Sequence, residues 1–376
     1  MSHSILVCAS YAPSLRNFRG SLLKTLVEHQ LKVYAAAPNI YDDSRTSTWL
    51  RKQEVSPYEI RLSRTGLSPF SDGLTLIALT RLLLKLRPSF YLGYTIKPVI
   101  WGVLAAWLAN VPNRVALITG LGYAFTGESS GKRRFIQWMA KGLYKFALKR
   151  STLIFFQNPD DREEFSRLGL IPDNVTVKVV NGSGIDLEAY PVTPFPEKPL
   201  TFLLIARLLG DKGIREYVSA AEKIKQDHPD IQFHLVGGLD PNPDGIAESE
   251  VIQWQTQRII SWQGELVDVK PAISNAHVYV LPSYREGTPR TVLEAMSMGR
   301  PVVTTDAPGC RETVVDGENG FKVGVRSVDA LVTAMRRFIE SPELIEKMGE
   351  KSRRLAEEKY DVHTVNKVML EAMGIK

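Results

Sequence analysis

Residues 278–305 read VYVLPSYREGTPRTVLEAMSMGRPVVTT, and this stretch decides the fold class. Residues 278–284 are predicted to form a buried strand, and residues 300–305 the next strand, with a helix between them. Strand, loop and helix N-terminus in this order form a ligand-binding corner of an open, doubly wound α/β sheet.

The local signals define the helix between these two strands. Thr288 is a good N-cap and Pro289 suits the first helical position, so a helix is predicted from Pro289 to Met298. Gly299 can end it in a left-handed conformation.

Two glutamates, Glu286 and Glu294, lie on either side of the predicted helix start. Free amides at a helix N-terminus can meet phosphate oxygens, which leaves one carboxylate on each side of a diphosphate-sized gap. Such a pair can bind sugar hydroxyls at two levels of one nucleotide-sugar. The residues directly after Glu286, which are Gly287, Thr288 and Pro289, are predicted to line the same nucleotide-sugar site.

A second corner follows in residues 202–213, FLLIARLLGDKG, where a hydrophobic strand breaks into a turn carrying Arg207 and Lys212. Two cations five residues apart can converge on one anion, and a departing diphosphate needs a metal or fixed Lys/Arg donors. The chain contains no D-x-D sequence, so no metal site is predicted. The alternative is a solvated loop pair.

A third turn follows the predicted strand HLV, which ends in Gly237 and Gly238. These glycines are predicted to let the backbone approach the nucleotide. No strand is followed by G-x-G-x-x-G, which disfavours a nicotinamide-dependent Rossmann enzyme.

Together with EAMSMGRPVV (294–303) and PGCRETVVDGENGF (308–321), these motifs resemble the retaining glycosyltransferases of family 4. The resemblance implies the GT-B fold, with two Rossmann-like domains facing a cleft and a C-terminal helix crossing back to the first domain. It also implies that Arg207 and Lys212 contact the donor diphosphate, that Glu286 faces the donor sugar and that Glu294 binds the ribose hydroxyls. No cofactor is implied.

The alternation of apolar strands with amphipathic helices predicts parallel sheets. Strands are predicted at residues 5–9, 32–36 and 176–180, with others ending near Tyr94, Ile118 and Phe156. A proline-rich run after residue 190 is the best linker candidate. The predicted domains are therefore residues 1–190 with about 358–376 for the acceptor, and residues 191–357 for the donor.

Candidate acceptor-side and sugar-binding residues follow the strands of the first domain. They are Arg16, Asn17, Arg19, Lys97, Thr119 and Gly120. Many family members carry a histidine near Gly120, and none is present there; Lys97, Thr119 and Glu128 are the candidate substitutes. In a front-face retaining transfer the donor phosphate can take the acceptor proton, so the loss of this histidine does not exclude catalysis.

Composition is that of a globular protein, with 44% hydrophobic and 23% charged residues. Two cysteines, Cys8 and Cys310, offer no disulfide framework and predict a cytoplasmic protein. The N-terminus lacks the features of a signal peptide. The apolar stretch at residues 99–111 is shorter than the roughly 20 residues that a membrane span needs.

Charge is unevenly divided, since residues 1–190 hold 24 Lys/Arg against 14 Asp/Glu. No helix-turn-helix, zinc or RNA-binding motif accompanies this charge, so nucleic acid is not a predicted partner. An anionic membrane or a lipid-diphosphate acceptor fits better.

A basic helix is predicted at residues 131–150. One stripe of this helix is predicted to meet the headgroup region of a membrane: Arg134, Trp138, Lys141, Lys145 and Lys149. The opposite, core-facing stripe is predicted to be Ile136, Met139, Leu143, Phe146 and Ala147. The alternative is an ordinary surface helix with a solvated basic face. The expected location is peripheral, on the inner face of the plasma membrane.

Residues 62–70, 94–98 and 118–125 look like the family branch that builds bacterial surface glycans on polyprenyl-diphosphate carriers. This resemblance implies a UDP-sugar donor, UDP-GalNAc or UDP-GlcNAc, and a polyprenyl-diphosphate-linked acceptor. Two alternatives stay open. One is a UDP-HexNAc 2-epimerase of GT-B architecture, and the other is a non-catalytic subunit of glycan assembly.

Overall fold

The computed structural model describes residues 3–63, 69–120, 132–197, 199–242 and 244–376, and the side chains of Pro69 and residues 132–137 are not described. The chain divides into two compact units. Unit 1 comprises Met1–Ser183 and His363–Lys376, and unit 2 comprises Gly184–Val362.

Unit 1 is built on a parallel sheet of seven strands in the order β3-β2-β1-β4-β5-β6-β7. The strands are β1 Ser4–Cys8, β2 Lys32–Ala37, β3 Ser56–Glu59, β4 Phe90–Tyr94, β5 Asn113–Ile118, β6 Leu153–Phe156 and β7 Thr176–Val179. The strands expected from the sequence are present. The edge strand β3 was not expected; it contains Pro57, which cannot donate to a ladder and is tolerated at an edge.

The helices of unit 1 up to residue 183 cover both faces of this sheet. They are α1 Ala12–Glu28, α2 Ser44–Lys52, α3 Pro69–Leu86, α4 Val103–Leu108, α5 Lys132–Leu148 and α6 Pro159–Arg167, with a π-helical turn at Pro98–Gly102 before α4. The basic helix predicted at residues 131–150 is confirmed as α5.

Alternation along β1 assigns these helices to the two faces. Ile5 and Val7 belong to the core that α1 and α2 cover. Leu6 and Cys8 belong to the core that α3, α4, α5 and α6 cover. The helices α3, α4 and α5 therefore share one side of the sheet.

Unit 2 repeats the plan with a parallel sheet of six strands in the order β10-β9-β8-β11-β12-β13. The strands are β8 Thr201–Ile205, β9 Gln232–Val236, β10 Ser261–Trp262, β11 Val278–Leu281, β12 Val302–Thr305 and β13 Gly320–Val323. Its helices are α7 Ile214–Asp227, α8 Glu248–Thr256, α9 Lys270–Ser274, α10 Arg290–Ser297, α11 Val328–Glu340 and α12 Glu343–Tyr360.

The last helix, α13 (Val362–Met373), belongs to unit 1 from His363 onward. Val365, Met369 and Leu370 join the core beneath α1, and Asn366 donates hydrogen bonds to Ser21 and Thr25 of α1. The expected return of the C-terminal helix to the first domain is confirmed. The tail is two helices rather than one, because Asp361 has extended backbone (ψ 125°) between α12 and α13.

The units divide at Ser183–Gly184, earlier than the linker expected after residue 190. Backbone hydrogen bonds from Ile185 N to Tyr360 O and from Val362 N to Ile185 O explain this, since they tie residue 185 to the end of α12. Further along, the buried Arg300 guanidinium binds the carbonyl oxygens of Thr193 and Pro194. The proline-rich run is therefore part of unit 2.

The apolar stretch at residues 99–111 forms the π-helical turn and α4. Among the helices of the described residues, none is long and apolar enough to cross a membrane.

Candidate active site

The candidate site of unit 2 lies where the strand order reverses. Strands β8 and β11 are neighbours in the sheet, and their following connections run to opposite sides, which opens a crevice at their carboxyl ends. The loop after β11 is tied to the loop after β8, because Tyr284 N and Ser283 Oγ both donate to the carbonyl oxygen of Asp211. This edge carries Arg207, Lys212 and Glu286, the three residues for which a catalytic role is predicted.

Lys212 and Glu286 are brought together at this edge. Lys212 Nζ lies 2.6 Å from Glu286 Oε1, and the two side chains keep 14% and 18% of their exposure. Burial alone would lower the pKa of Lys212, but the carboxylates of Glu286 and Asp211 outweigh it and raise that pKa. Lys212 is therefore a fixed cation at neutral pH.

Arg207 holds a second cation at the same strand end, and its side chain is largely exposed. Arg207 Nη1 binds Asp240 Oδ2 at 2.7 Å, and Asp240 comes from the loop after β9. The loop is stiffened by Asn242 N, which donates to Asp240 Oδ1. An incoming anion can reach Arg207 because the Arg207 side chain keeps 56% of its exposure.

The backbone of Glu286 is fixed by the loop after β12. Glu286 N donates to the carbonyl oxygen of Pro308 at 2.9 Å. Gly309 has φ 79°, and a Cβ there would lie 2.1 Å from the carbonyl oxygen of Glu286. Only glycine permits this approach, so the segment PGC in the sequence positions the carboxylate.

The helix after this loop begins one residue later than expected. Pro289 is the N-cap of α10, with ψ 108°, and the first helical residue is Arg290. The expectation of a Thr288 cap was wrong, because the Thr288 hydroxyl donates to the carbonyl oxygen of Gly287. The helix ends at Ser297, one residue before the expected Met298, and the expected left-handed conformation of Gly299 is confirmed by its φ of 80°.

The buried Glu294 lies in the second turn of α10, and its two carboxylate oxygens differ in their hydrogen-bond partners. Tyr190 Oη and Arg290 Nε both donate to Oε1 at 3.0 Å. No residue in the part of the chain that the structure describes bonds Oε2, which leaves that oxygen to accept a ligand hydroxyl. Burial raises the pKa of Glu294, although Arg290 and Tyr190 act in the opposite direction.

Tyr190 was missed by the sequence analysis. It lies 104 residues before Glu294, at the end of the predicted first domain, and no spacing rule links the two. Burial and the neighbouring Glu294 raise the pKa of the Tyr190 hydroxyl, so it remains a hydrogen-bond donor.

Gly237 and Gly238 follow β9 as expected, and the structure gives Gly237 a packing role. A Cβ on Gly237, which has φ 150°, would lie 1.8 Å from the carbonyl oxygen of Ala206. The glycine therefore lets the loop before Arg207 pass close to the end of β9. The contact of these glycines with nucleotide stays a prediction.

In unit 1 the predicted Lys97 is sealed in the core. Lys97 Nζ lies 2.7 Å from Asp72 Oδ1 of α3, and the side chains keep only 7% and 3% of their exposure. The Asp72 carboxylate neutralises this ammonium group. Lys97 therefore has a structural role in addition to the predicted role in sugar binding.

The predicted residues of α1 differ in exposure. Arg19 is buried, with its guanidinium carbon 5.2 Å from the centroid of the Tyr94 ring. Asn17 is exposed and accepts a hydrogen bond from Arg16 Nε. Burial and the nearby Arg45 lower the pKa of Arg16. Arg16 and Asn17 are thus the two that solvent reaches.

Thr119 and Gly120 come directly after β5, both half-buried, and Gly120 has φ 129°. Their position at the carboxyl edge of the sheet agrees with the expected strand end. The following residues of the predicted loop, and Glu128, lie outside the described residues.

The exposed face of α5 carries Trp138, Lys145 and Lys149, while Lys141 is half-buried. Trp138 keeps 70% of its exposure. The expectation for Phe146 was wrong: it is 48% exposed, because the buried stripe of α5 is centred on Ala140, Tyr144 and Ala147. The side chains of Arg134 and Ile136 lie outside the description.

Metal ligands do not converge in the described ranges: no group of three or more His, Cys, Asp or Glu there could hold a metal ion.

Two family models match the chain. The model described as Glycosyl transferases group 1 matches residues 188–355, and the model described as Glycosyl transferase 4-like matches residues 42–158.

Curated relatives match over most of the chain. One, from Campylobacter jejuni, is an N,N'-diacetylbacillosaminyl-diphospho-undecaprenol alpha-1,3-N-acetylgalactosaminyltransferase, 28% identical and covering 88% of each chain. Another, from Escherichia coli, is a UDP-Gal:alpha-D-GlcNAc-diphosphoundecaprenol alpha-1,3-galactosyltransferase, 26% identical over 73% of this chain and 72% of the relative.

Solved structures share the fold. A sucrose-phosphate synthase from Thermosynechococcus elongatus superimposes with a TM-score of 0.79 at 17% identity, covering 98% of both chains. Anabaena HepE in complex with UDP and glucose superimposes with a TM-score of 0.77 at 16% identity, covering 99% of both chains. Fold and site define a GT-B enzyme. The chain is a glycosyltransferase, and its residues 188–355, which hold the motifs around Lys212 and Glu286, match the group 1 model as predicted.

Proposed function

We propose that this chain is a retaining, metal-independent glycosyltransferase that moves GalNAc or GlcNAc from a UDP-sugar onto a polyprenyl-diphosphate-linked saccharide, in bacterial surface glycan assembly. The observation that carries the proposal is the Lys212–Glu286 pair at the crevice between β8 and β11. A cation and a carboxylate held 2.6 Å apart can serve two adjacent groups of one donor.

The leaving group of this reaction is a nucleoside diphosphate. As the glycosidic bond breaks, negative charge grows on the phosphate oxygens, and preorganised cations stabilise it. Lys212, permanently charged, and Arg207, open to solvent, supply two such cations. Fixed cations of this kind make a metal ion unnecessary for the leaving group, which is why metal independence is proposed.

The two glutamates orient the donor by its ends. Glu286 faces the sugar beside the Lys212-bound phosphate, and the Oε2 oxygen of Glu294 accepts a ribose hydroxyl. In a front-face retaining transfer, the acceptor hydroxyl attacks the anomeric carbon from the side that the diphosphate leaves. The departing phosphate oxygen takes the hydroxyl proton, so no protein base is needed.

The nature of donor and acceptor is proposed from the relatives. The Campylobacter relative is named for N-acetylgalactosaminyl transfer to an undecaprenol-diphosphate sugar, and the Escherichia relative for the use of UDP-Gal on such a carrier. Anabaena HepE was solved with UDP. These names favour a UDP-sugar and a polyprenyl-diphosphate-linked acceptor for this chain too.

A lipid-linked acceptor requires access to a membrane. The exposed Trp138, Lys145 and Lys149 of α5 supply an aromatic and cations to an anionic bilayer. Lys141 and Arg134 belong to the same predicted stripe. Together these five residues support a peripheral position on the inner face of the plasma membrane, in the cytoplasm.

The test incubates purified protein with a panel of UDP- and GDP-sugars, with and without an undecaprenyl-diphosphate-linked sugar, and follows nucleotide release by mass spectrometry. We expect release from UDP-HexNAc that depends on the acceptor and persists in EDTA. Proton NMR of the product should show the donor's anomeric configuration. Epimerised or hydrolysed UDP-HexNAc without acceptor would overturn the proposal in favour of an epimerase.

A further inference from the structure

A second exposed surface of unit 1 lies on α3, which the basic stripe of α5 does not include. Phe70, Leu74, Ile77 and Leu84 are exposed, and Phe70 keeps 80% of its exposure. With Arg81 these positions are spaced four, three, four and three residues apart, which places them on one stripe of the helix. We call the four apolar residues the α3 ridge.

The opposite stripe of α3 accounts for its packing. Asp72, Thr75, Leu79 and Leu83 are buried, and Leu79 and Leu83 belong to the core beneath the sheet. The helix therefore satisfies its tertiary contacts without the α3 ridge. Contiguous exposed apolar side chains of this kind mark interaction surfaces.

Further exposed apolar side chains lie on α4 and α5, which share the same side of the unit 1 sheet. Helix α4 packs against α3 and α5, and it exposes Trp107 and Leu108 at its end. The Arg150 guanidinium lies 4.6 Å from the Trp107 ring centroid and 3.5 Å from that of Phe146. One cation thus bridges exposed aromatic rings from α4 and α5.

The segments that carry α3, α4 and α5 have charge almost entirely of one sign, whereas α6, on the same side of the sheet, carries Asp160, Asp161, Glu163 and Glu164. Residues 69–87, 98–110 and 132–150 contain ten Lys or Arg and a single acidic residue, Asp72. Asp72 is buried and neutralised by Lys97. Cations interleaved with Trp, Phe and Leu suit the boundary of headgroups and acyl chains in an anionic bilayer.

A second copy of the chain fits this side less well. A two-fold interface places a patch against itself, so the cations of one copy, Arg81 and Lys85 among them, would face the basic patch of the other. Like charges brought together in this way oppose association.

We propose that the α3 ridge, with Trp107 and Phe146, inserts into an anionic phospholipid bilayer, so that three helices rather than α5 alone dock unit 1. This inference rests on the proposed function and adds to it. Membrane binding would include an apolar contribution to affinity that salt does not screen. The lysines of α5 contribute mainly Coulomb attraction, which salt screens.

The test measures binding to phosphatidylglycerol-containing vesicles by co-sedimentation, at about 0.1 M and about 1 M salt, where the Debye length falls from about 10 to about 3 Å. The variant is Leu74→Ser/Ile77→Ser. The matched control is Ile252→Ser/Val267→Ser, which removes two exposed apolar side chains from unit 2. We expect the α3 variant to lose about tenfold or more in affinity at both salt concentrations, and the control to bind like the wild type.

A second measurement reports insertion directly. Cys8 and Cys310 are both buried, so a polarity-sensitive dye can be attached at Ile77→Cys and, as control, at Ile252→Cys. Its emission should shift to the blue on anionic vesicles only at position 77. An unshifted emission at position 77, or light scattering that shows a wild-type dimer converted to monomer by Leu74→Ser/Ile77→Ser, would overturn the proposal.

Failure of this proposal is distinguishable from failure of the proposed function. On a water-soluble, short-chain prenyl-diphosphate sugar, Leu74→Ser/Ile77→Ser should transfer at the wild-type rate. A wild-type protein that binds vesicles but transfers no sugar would overturn only the function. A variant inactive on the soluble acceptor would show that the α3 ridge serves the site, and would overturn the docking surface.

Discussion

Two lysine–carboxylate pairs, one in each unit, differ in what surrounds them. Lys97–Asp72 in unit 1 and Lys212–Glu286 in unit 2 have nearly equal separations, 2.7 and 2.6 Å. Each lysine follows a strand at the switch point of its sheet, β4 or β8. The first pair is sealed between α3 and the π-helical turn, whereas the second keeps access to solvent. The same ion pair is a structural element where it is enclosed and a candidate site where a ligand can compete for it.

The largest effect is expected from breaking the enclosed pair. Lys97→Met leaves the Asp72 carboxylate buried without a counter-charge, which destabilises the fold by about 3–5 kcal/mol. Urea denaturation followed by circular dichroism measures this, and Lys223→Met, at an exposed ion pair, serves as the control. A stable Lys97→Met protein that no longer transfers sugar would instead favour Lys97 as a sugar-binding residue.

Breaking the open pair should affect catalysis rather than folding. Lys212→Ala removes a cation from the departing diphosphate, and we expect kcat to fall by about 100-fold or more. The rate of UDP release measures it, with Lys223→Ala as the control. Unchanged turnover in both Lys212→Ala and Glu286→Ala would place the site elsewhere.

Arg300 is a third buried cation, and it is held by neutral carbonyl oxygens instead of a carboxylate. Its guanidinium binds carbonyl oxygens of Thr193, Pro194, Ile273, Ser274 and Met298, and burial lowers its pKa to about 10. Arg300→Lys leaves several of these oxygens unsatisfied and should destabilise unit 2 by about 2 kcal/mol. Thermal unfolding measures this loss, and the exposed Arg354→Lys should show none.

A substitution of Tyr190 tests how strongly its hydrogen bond to Glu294 preorganises the candidate site of unit 2. Tyr190→Phe removes one of the two donors to Glu294 Oε1, so the donor KM should rise by about tenfold with kcat nearly unchanged. Steady-state kinetics with the UDP-sugar separate the two parameters. A fall in kcat alone would mean that Tyr190 acts on the transition state instead.

The smallest effect is a pH dependence. The pKa of Glu294 is raised by burial above its ordinary value, so a ribose hydroxyl should lose its acceptor as pH falls through that raised pKa. UDP affinity, measured by calorimetry, should therefore decline at a higher pH than for an ordinary carboxylate. In the same window the folded state binds more protons than the unfolded state, so this group's contribution to stability falls as pH rises. Glu294→Gln should abolish both dependences.

Local patterns predicted the strands and the helix after Glu286, because each signal lies within a few residues, whereas the return of the last helix was implied by the family resemblance. The edge strand β3 was not predicted, because Pro57 contradicts the strand pattern. The Lys97–Asp72 and Tyr190–Glu294 contacts join residues 25 and 104 positions apart, and only the folded chain brings them together. Phe146 was misassigned because the buried stripe of α5 depends on which side its neighbours occupy.

Of the candidate site, the sequence located Arg207, Lys212, Glu286 and Glu294 at one edge of the unit 2 sheet. It did not foresee that Asp240 already binds Arg207, or that Gly309 fixes the backbone of Glu286. Both features depend on neighbouring strands whose order the sequence does not state.

The attachment of residues 184–195 to unit 2 determines where this enzyme can be recombined with its relatives. Arg300 and Arg353 bind backbone oxygens of this segment. A chimera joined after residue 190 would separate Arg353 from the carbonyl oxygen of Tyr190. Junctions at Ser183–Gly184 and Val362–His363 would transplant the whole of unit 2, the proposed donor-binding unit, together with residues 184–195. Exchange of donor specificity between such enzymes is best attempted there.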